Sequence, residues 1–373
     1  MQKKLIALAI AGLASTAAFA QTNVTLYGVA DVTLESVSAN SANDGFSRGS
    51  QGRVNSNSSY IGLKGTEDLG NGLKALFQFE TGFSADAGIY NASARDTYVG
   101  LNGAFGTLVA GNLTAPTRSL GNRMEMLPGN TGIGDAVSLL GNPLNAASTG
   151  TTGEFDTRQA NAVAYMSNDY NGFSFAGAYA FGENKAFANA VPGASAFNNS
   201  KVYDLGLNYV VGGWDLGYSY GHADTGGDLV GFIDTAKNHR IGVGYNFDGG
   251  HKVTFQWNKQ SADFIGGGDI DATSYSLQGK YAVSPAGSLI AEYTVARDIT
   301  GSAGAVDTGA KMYTLGYLHA LSKRTLVKAV YSRINNDDAA AYDFSSGAVR
   351  GVGALVGTGS NVQGLAVGVR HSF

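Results

Sequence analysis

Cysteine is absent from the 373 residues, which rules out a disulfide framework, thiol catalysis and thiolate metal ligation. Proline is scarce, five in all, and no proline-rich or charged stretch divides the chain. Charge is thin as well: Asp, Glu, Lys and Arg make up 14% of the residues, against roughly 25% in soluble proteins. No basic excess offers itself to nucleic acid, since the formal charge is −4. Yet mean hydropathy is only −0.05, and no apolar run of about 18 residues follows the N-terminal segment, so a bundle of membrane-crossing helices is excluded too.

What the chain has in quantity is glycine, 54 residues, together with 19 Tyr and 18 Phe. At the N-terminus Lys3 and Lys4 precede an apolar run, Leu5 to Ala14, that leads into Ala18-Phe19-Ala20. This predicts a secretory signal over residues 1–20, the run being too short for a transmembrane helix. From Gln21 onward, 23 basic residues stand against 29 acidic ones, a formal −6.

The dominant pattern is alternation with period two. Val24, Leu26, Gly28, Ala30, Val32 and Leu34 share one face, while Thr25, Tyr27, Val29, Asp31, Thr33 and Glu35 share the other. One face suits lipid and the other water. Sixteen such segments follow: Thr22 to Val37, Asn57 to Thr66, Leu73 to Phe83, Arg95 to Asn102, Thr107 to Leu113, Asn161 to Ser167, Phe173 to Phe181, Lys201 to Val211, Trp214 to Ala223, Lys237 to Phe247, His251 to Ser261, Asp271 to Val283, Ser288 to Ile299, Lys311 to Leu321, Thr325 to Asn335 and Val362 to Phe373. An all-β fold is expected, a 16-stranded antiparallel transmembrane barrel over residues 21–373.

Connections alternate between tight ones, such as Gly212-Gly213, and long ones, such as Gly182 to Ser200 and Asn336 to Asn361. The longest, Thr114 to Thr157, alternates weakly and is rich in Gly, Asn and Thr. A loop of that size is usually functional, and folded inward it would narrow the lumen; an external surface loop is the alternative. Aromatics such as Phe77 and Phe79, or Phe255 and Trp257, repeat along the apolar face like an interfacial girdle.

Several motif matches are discounted. Gly45-Phe46-Ser47-Arg48-Gly49 fits a nucleophile-elbow spacing but sits in a polar stretch without strand-to-helix context, and Gly70-Asn71-Gly72-Leu73-Lys74-Ala75 reads as a tight turn, not a dinucleotide fingerprint. The five histidines lack metal-ligand spacing, and Gly266 to Asp271 reads as an outer loop before it reads as a calcium site. Neither a catalytic group nor a cofactor nor a metal is expected. A barrel enzyme and a closed adhesive barrel remain as competing readings.

Val24-Thr25-Leu26-Tyr27-Gly28-Val29-Ala30-Asp31, the hairpin Ser58 to Ala75, Arg95 to Gly106, Leu321-Ser322-Lys323-Arg324-Thr325 and the ending Val367 to Phe373 carry a resemblance over essentially the whole mature chain. They resemble the general diffusion porins of β-proteobacterial outer membranes. The resemblance implies an outer-membrane homotrimer surrounded by lipid, passing ions and small hydrophilic solutes by passive diffusion. It also implies that Phe373 ends a signal read by the outer-membrane assembly machinery. Arginines of the early strands would face acidic groups of the third loop, which makes Arg95 a wall arginine and Arg158 a second one.

Two positions depart from that pattern. Tyr60 precedes Ile61-Gly62 and Asn112 follows Gly111, where arginines would be expected. Lys64 shares the lumen face with Tyr60, Asp31 adds negative charge, and the loop supplies Arg118, Arg123, Glu125, Asp135, Glu154 and Asp156. The missing arginines and the formal −6 predict a weakly charge-selective pore.

Overall fold

The computed structural model describes residues 23–40, 42–43, 45, 47–129, 132–141, 155–182, 201–224, 233–346 and 356–373. The predicted signal at 1–20 lies outside the described residues, as does most of Gly182 to Ser200.

Antiparallel strands form one closed sheet. In chain order they are β1 (Asn23–Asn40), β2 (Arg48–Ser56), β3 (Tyr60–Gly70), β4 (Leu73–Ser84), β5 (Ile89–Gly103), β6 (Gly106–Thr114), β7 (Arg158–Met166), β8 (Phe173–Phe181), β9 (Lys201–Val211), β10 (Trp214–Asp224), β11 (Ile233–Asn246), β12 (Lys252–Phe264), β13 (Asp269–Ala282), β14 (Gly287–Ala296), β15 (Ala310–Ala320), β16 (Thr325–Asn336) and β17 (Asn361–Ser372). β2 and β3 both pair with the same edge of β1, β2 from Val32 to Ala39 and β3 from Asn23 to Val29. They are one stave broken at Asn57-Ser58-Ser59, where Ser58 takes a φ of 51°. Sixteen staves therefore close the barrel, as alternation predicted.

Closure comes from β1 and β17, registered from Val29↔Ser372 to Asn40↔Asn361. The seam is finished by reciprocal bonds: Gly28 N–H donates to Phe373 O and Phe373 N–H to Gly28 O, each 3.1 Å. Closure pairs the wall strands on both sides, the condition for crossing lipid with strands, while β2 is laddered to β1 on one side.

The pleat sorts side chains as the sequence pattern demands. Leu26, Leu34, Val99 and Leu315 stand exposed on the outside, whereas Asp31, Thr33 and Glu35 are buried inside. The apolar core is also inside. Val37, Met312 and Ile334 of the wall enclose Ile133 and Leu139 of the long connection after β6, and Phe155 packs on Ala223, Ile270 and Ile299.

That connection contains helix α1 (Pro116–Met124). Pro116 fits the first turn, where no intrahelical N–H bond is lost. Thr117, Leu120, Gly121 and Met124 form the buried face at helical spacing. Leu120 lies so close to Gly217 and Gly242 that a Cβ on either glycine would collide with its Cδ1. Glycine in β10 and β11 thus opens room for α1 against the inner wall.

Candidate pore constriction and its charged walls

The wall is irregular at three places near the start of the connection: the break at Ser58, a bulge in β5 (one stave beyond β4), and one between β6 and β7. In β5 the register jumps from Thr81↔Ala94 to Phe79↔Thr97, leaving Arg95 and Asp96 opposite Glu80 alone. Plain alternation would place Arg95 with Val99 and Leu101 on the lipid side. The extra residue re-aims it, so that Arg95 and Asp96 both face inward. Gly111 makes the neighbouring contact possible: its φ is +152°, and a Cβ there would run into the backbone oxygen of Thr97. Asn112 donates to Arg95 O at 2.8 Å and holds the bulge from the next strand.

Each inward arginine has a carboxylate. Arg95 Nε lies 3.1 Å from Glu80 Oε2, and its guanidinium carbon stacks 4.2 Å from the centre of the Tyr60 ring. Arg158 Nε is 3.0 Å from Asp96 Oδ2. On the adjoining staves, Asp31 of β1 receives Lys328 at 2.8 Å and Arg370 at 3.2 Å. Arg118 reaches Asp156 at 3.8 Å and also donates to its backbone oxygen. Lys64 Nζ stands 4.9 Å above the Tyr27 ring, whose hydroxyl donates to Glu80 at 2.8 Å.

The connection is tied to the wall by buried polar contacts. Arg240, 1% exposed, pairs with Asp156 at 2.6 Å and donates to Thr117 O at 3.2 Å. Thr117 donates to Asp204 at 3.0 Å, Arg123 pairs with Asp215 at 2.8 Å, and Thr254 donates to Met124 O at 2.7 Å. Beyond α1, Glu125 accepts from the backbone N–H of Met126 (3.1 Å) and Ala136 (3.2 Å) and from Gln278 (3.3 Å). Burial pushes its carboxyl up to about 7, against these stabilising hydrogen bonds. Asp135, fully buried beside Ser345, is likewise raised, first by burial and then by the nearby Glu125 charge.

A cavity of about 310 Å³ lies between wall and connection, lined by Tyr60, Arg95, Arg118, Glu125, Arg158 and Arg370 among others. Of the predicted site residues, this geometry gathers Tyr60, Arg95, Arg118, Glu125 and Arg158. Lys64 lies further along the same face, and Asp31 and Asp156 sit behind arginines as their partners. Arg123 points to the opposite wall and Asp135 is buried beneath the connection. Glu154 lies outside the described residues.

Reasoning from sequence misses Arg370, Glu80, Asp96, Lys328 and Arg240. Arg370 is findable, because alternation opposes it to Val367, Val369 and His371. Asp96 is not, since only a bulge lets two successive residues face one lumen.

Comparison with known proteins decides the family. The Gram-negative porin family matches residues 7–339. The chain is a member of the Gram-negative porin family. This porin is 32% identical over 378 residues to outer membrane porin protein 32 of Delftia acidovorans, with all of both chains covered. It is 29% identical over 382 residues to an outer membrane porin protein of Bordetella pertussis, covering 90% of this chain and 95% of that one. Among solved structures, the anion-selective porin from Comamonas acidovorans superposes with a TM-score of 0.78 at 27% identity, covering 95% of this chain and all of the other. The resemblance to β-proteobacterial porins holds, and with it the place of this porin in the Gram-negative outer membrane. The family is one of channels, not of enzymes.

Proposed function

We propose that this porin is a water-filled channel for passive diffusion of ions and small hydrophilic solutes, weakly charge-selective and leaning toward anions. The connection Thr114 to Thr157 forms its constriction, opposite the arginines of β5, β7 and β17. One observation carries the selectivity: every arginine lining the cavity is paired, and in three of four pairs the guanidinium is the more exposed member. Side-chain exposure is 14% for Arg95 against 8% for Glu80, 19% for Arg118 against 6% for Asp156, and 19% for Arg370 against 0% for Asp31; Arg158 and Asp96 are equal to within a percent, at 18% and 19%. A passing solute meets cationic surface, but each field is largely cancelled a few ångströms behind. Tyr60 and Asn112, in place of arginines, keep the sum small.

The printed description of the Comamonas relative as anion-selective supports the sign. Family membership supports a homotrimer, and the lipid-facing aromatic end at Phe373 supports its reading by the outer-membrane assembly machinery. Purified porin in a planar bilayer under a salt gradient is the test. Conductance steps in groups of three, with a reversal potential on the anion side but well short of the Nernst limit, are expected. A near-ideal anion potential, a cation potential or a silent protein would overturn the reading.

A further inference from the structure

The long connection leaves the wall at the end of β6 and rejoins it at the start of β7, and its two ends lie side by side. Leu113 registers with Gln159 and Thr114 with Arg158; beyond them the Ala115 N–H donates to Thr157 O at 3.2 Å. At this level β5 carries its bulge, so two successive residues address the neck of the connection. Arg95 offers its carbonyl oxygen to the Asn112 side chain at 2.8 Å. Asp96 takes the next inward residue of β6: its Oδ1 accepts from the Thr114 N–H at 2.7 Å, and its Oδ2 from the Thr114 hydroxyl at 3.0 Å.

The same Oδ2 also accepts from Arg158 Nε, at 3.0 Å. One carboxylate of β5 thus grips the outgoing end of the connection at Thr114 and the returning end at Arg158. Both members of the ion pair keep side-chain surface open to the passage, 18% for Arg158 and 19% for Asp96, so passing ions meet the pair and not the arginine alone. Glu80 supplies the contrast. It pairs with Arg95 at 3.1 Å and accepts from Tyr27 at 2.8 Å and from Gln78 at 3.1 Å, and these partners are all residues of the wall. Its charge offsets an arginine without holding either end of the connection through them.

We propose that Asp96 is a positioning residue that couples the ion preference of this channel to the attachment of its constriction: it clasps the neck at Thr114 and, through the same oxygen, aims and offsets the guanidinium of Arg158. The inference rests on the reading of this porin as a channel narrowed by that connection. The bonds to Thr114 fix the carboxylate, and the charge-assisted bond to Arg158 Nε then limits where that long side chain can point. Opposite unit charges about 4 Å apart in water are worth roughly a factor of five in local ion preference. Opening the neck therefore also releases Arg158, and a loosened connection gives a noisier and more anion-selective pore.

Full-length porin variants in planar bilayers, read for reversal potential under a potassium chloride gradient and for single-channel noise, test this, with heat-dependent gel mobility confirming that each is folded. Asp96→Asn keeps an amide oxygen for the Thr114 N–H but loses the charge, so its conductance steps should stay quiet while the anion-to-cation permeability ratio rises by about fivefold. Asp96→Ala removes every one of these bonds and should show the same shift together with flickering. Glu80→Ala should also shift the potential toward anions yet remain quiet. Asp96→Asn/Arg158→Gln, which removes both charges, should bring the ratio back near that of the unmodified porin. A potential unmoved by Asp96→Asn overturns the proposal, and so does flickering in Asp96→Ala no greater than in Glu80→Ala. An unmodified porin that is silent or cation-selective would instead sink the channel reading itself, whereas an anion-leaning porin indifferent to Asp96→Asn sinks only the role of Asp96.

Discussion

The guanidinium of Arg95 lies 4.2 Å from the centre of the Tyr60 ring, on the floor of the passage and against the pleat of its own strand. That contact joins the bulge in β5 to the break between β2 and β3, and it accounts for a tyrosine where a further arginine would be expected. The ring supports one cation by its π-face instead of adding a second.

Replacing Arg95 by Gln should shift the reversal potential toward cations, because Glu80 then faces the passage without its partner. Two unit charges about 4 Å apart in water interact by roughly 1 kcal/mol, so the anion-to-cation permeability ratio should fall by about fivefold. Tyr60→Arg should move it the other way. A reversal potential unmoved by either change would separate these residues from the ion path.

Arg240 should matter for the loop more than for the ions. It is almost completely buried, and its loss leaves Asp156 with the more distant Arg118 alone and the Thr117 carbonyl without this donor. Breaking a buried pair from one side costs about 3–5 kcal/mol. Arg240→Ala should lower the unfolding temperature and turn quiet conductance steps noisy, as α1 lifts from β10 and β11. Single-channel recordings and heat-dependent gel mobility read the two effects.

How far this arrangement is legible in sequence depends on the distance over which each contact is encoded. Alternation such as Leu26 to Leu34 against Thr25 to Glu35 is local, so sixteen staves and their lipid faces can be read directly. β2, by contrast, is nine residues of Arg, Gly, Ser, Gln, Val and Asn with few apolar ones, and its composition is that of a polar loop. Its strand form comes from pairing with β1, not from its own propensity. The inward turn of Arg95 and Asp96 comes from one extra residue in the register. Thr117 and Asp204 are 87 positions apart, and no local pattern joins them.

Acidity should steady the connection. Glu125 ordinarily titrates near 4.5, but in the folded porin it is raised to about 7, and Asp135 is raised from 3.8. Between the unfolded and folded values the folded porin holds more protons than the unfolded chain, so stability falls as pH rises from about 4.5 to about 7. Above that range Glu125 is ionised in both states and its slope vanishes. Denaturant midpoints measured from pH 5 to 8 should decline, and Glu125→Gln should flatten the part of the slope between 5 and 7. A rising midpoint over that interval would contradict the assignment.

Phe373 should act at the seam. Its backbone completes the β1–β17 ladder through Gly28, and its ring covers Gly28 so closely that a Cβ there would collide with the ring carbon Cζ. Phe373→Ala keeps the two backbone bonds and removes the ring, whereas Gly28→Val keeps the ring and forces it away. If the terminal aromatic served only as a recognition tag, Gly28→Val would assemble normally and only Phe373→Ala would fail. If packing closes the barrel, both variants should refold more slowly into lipid vesicles in the absence of any assembly factor, and Phe373→Tyr should restore the rate. Following the heat-resistant band during refolding distinguishes the two, and the closeness of ring and glycine favours slow closure in both.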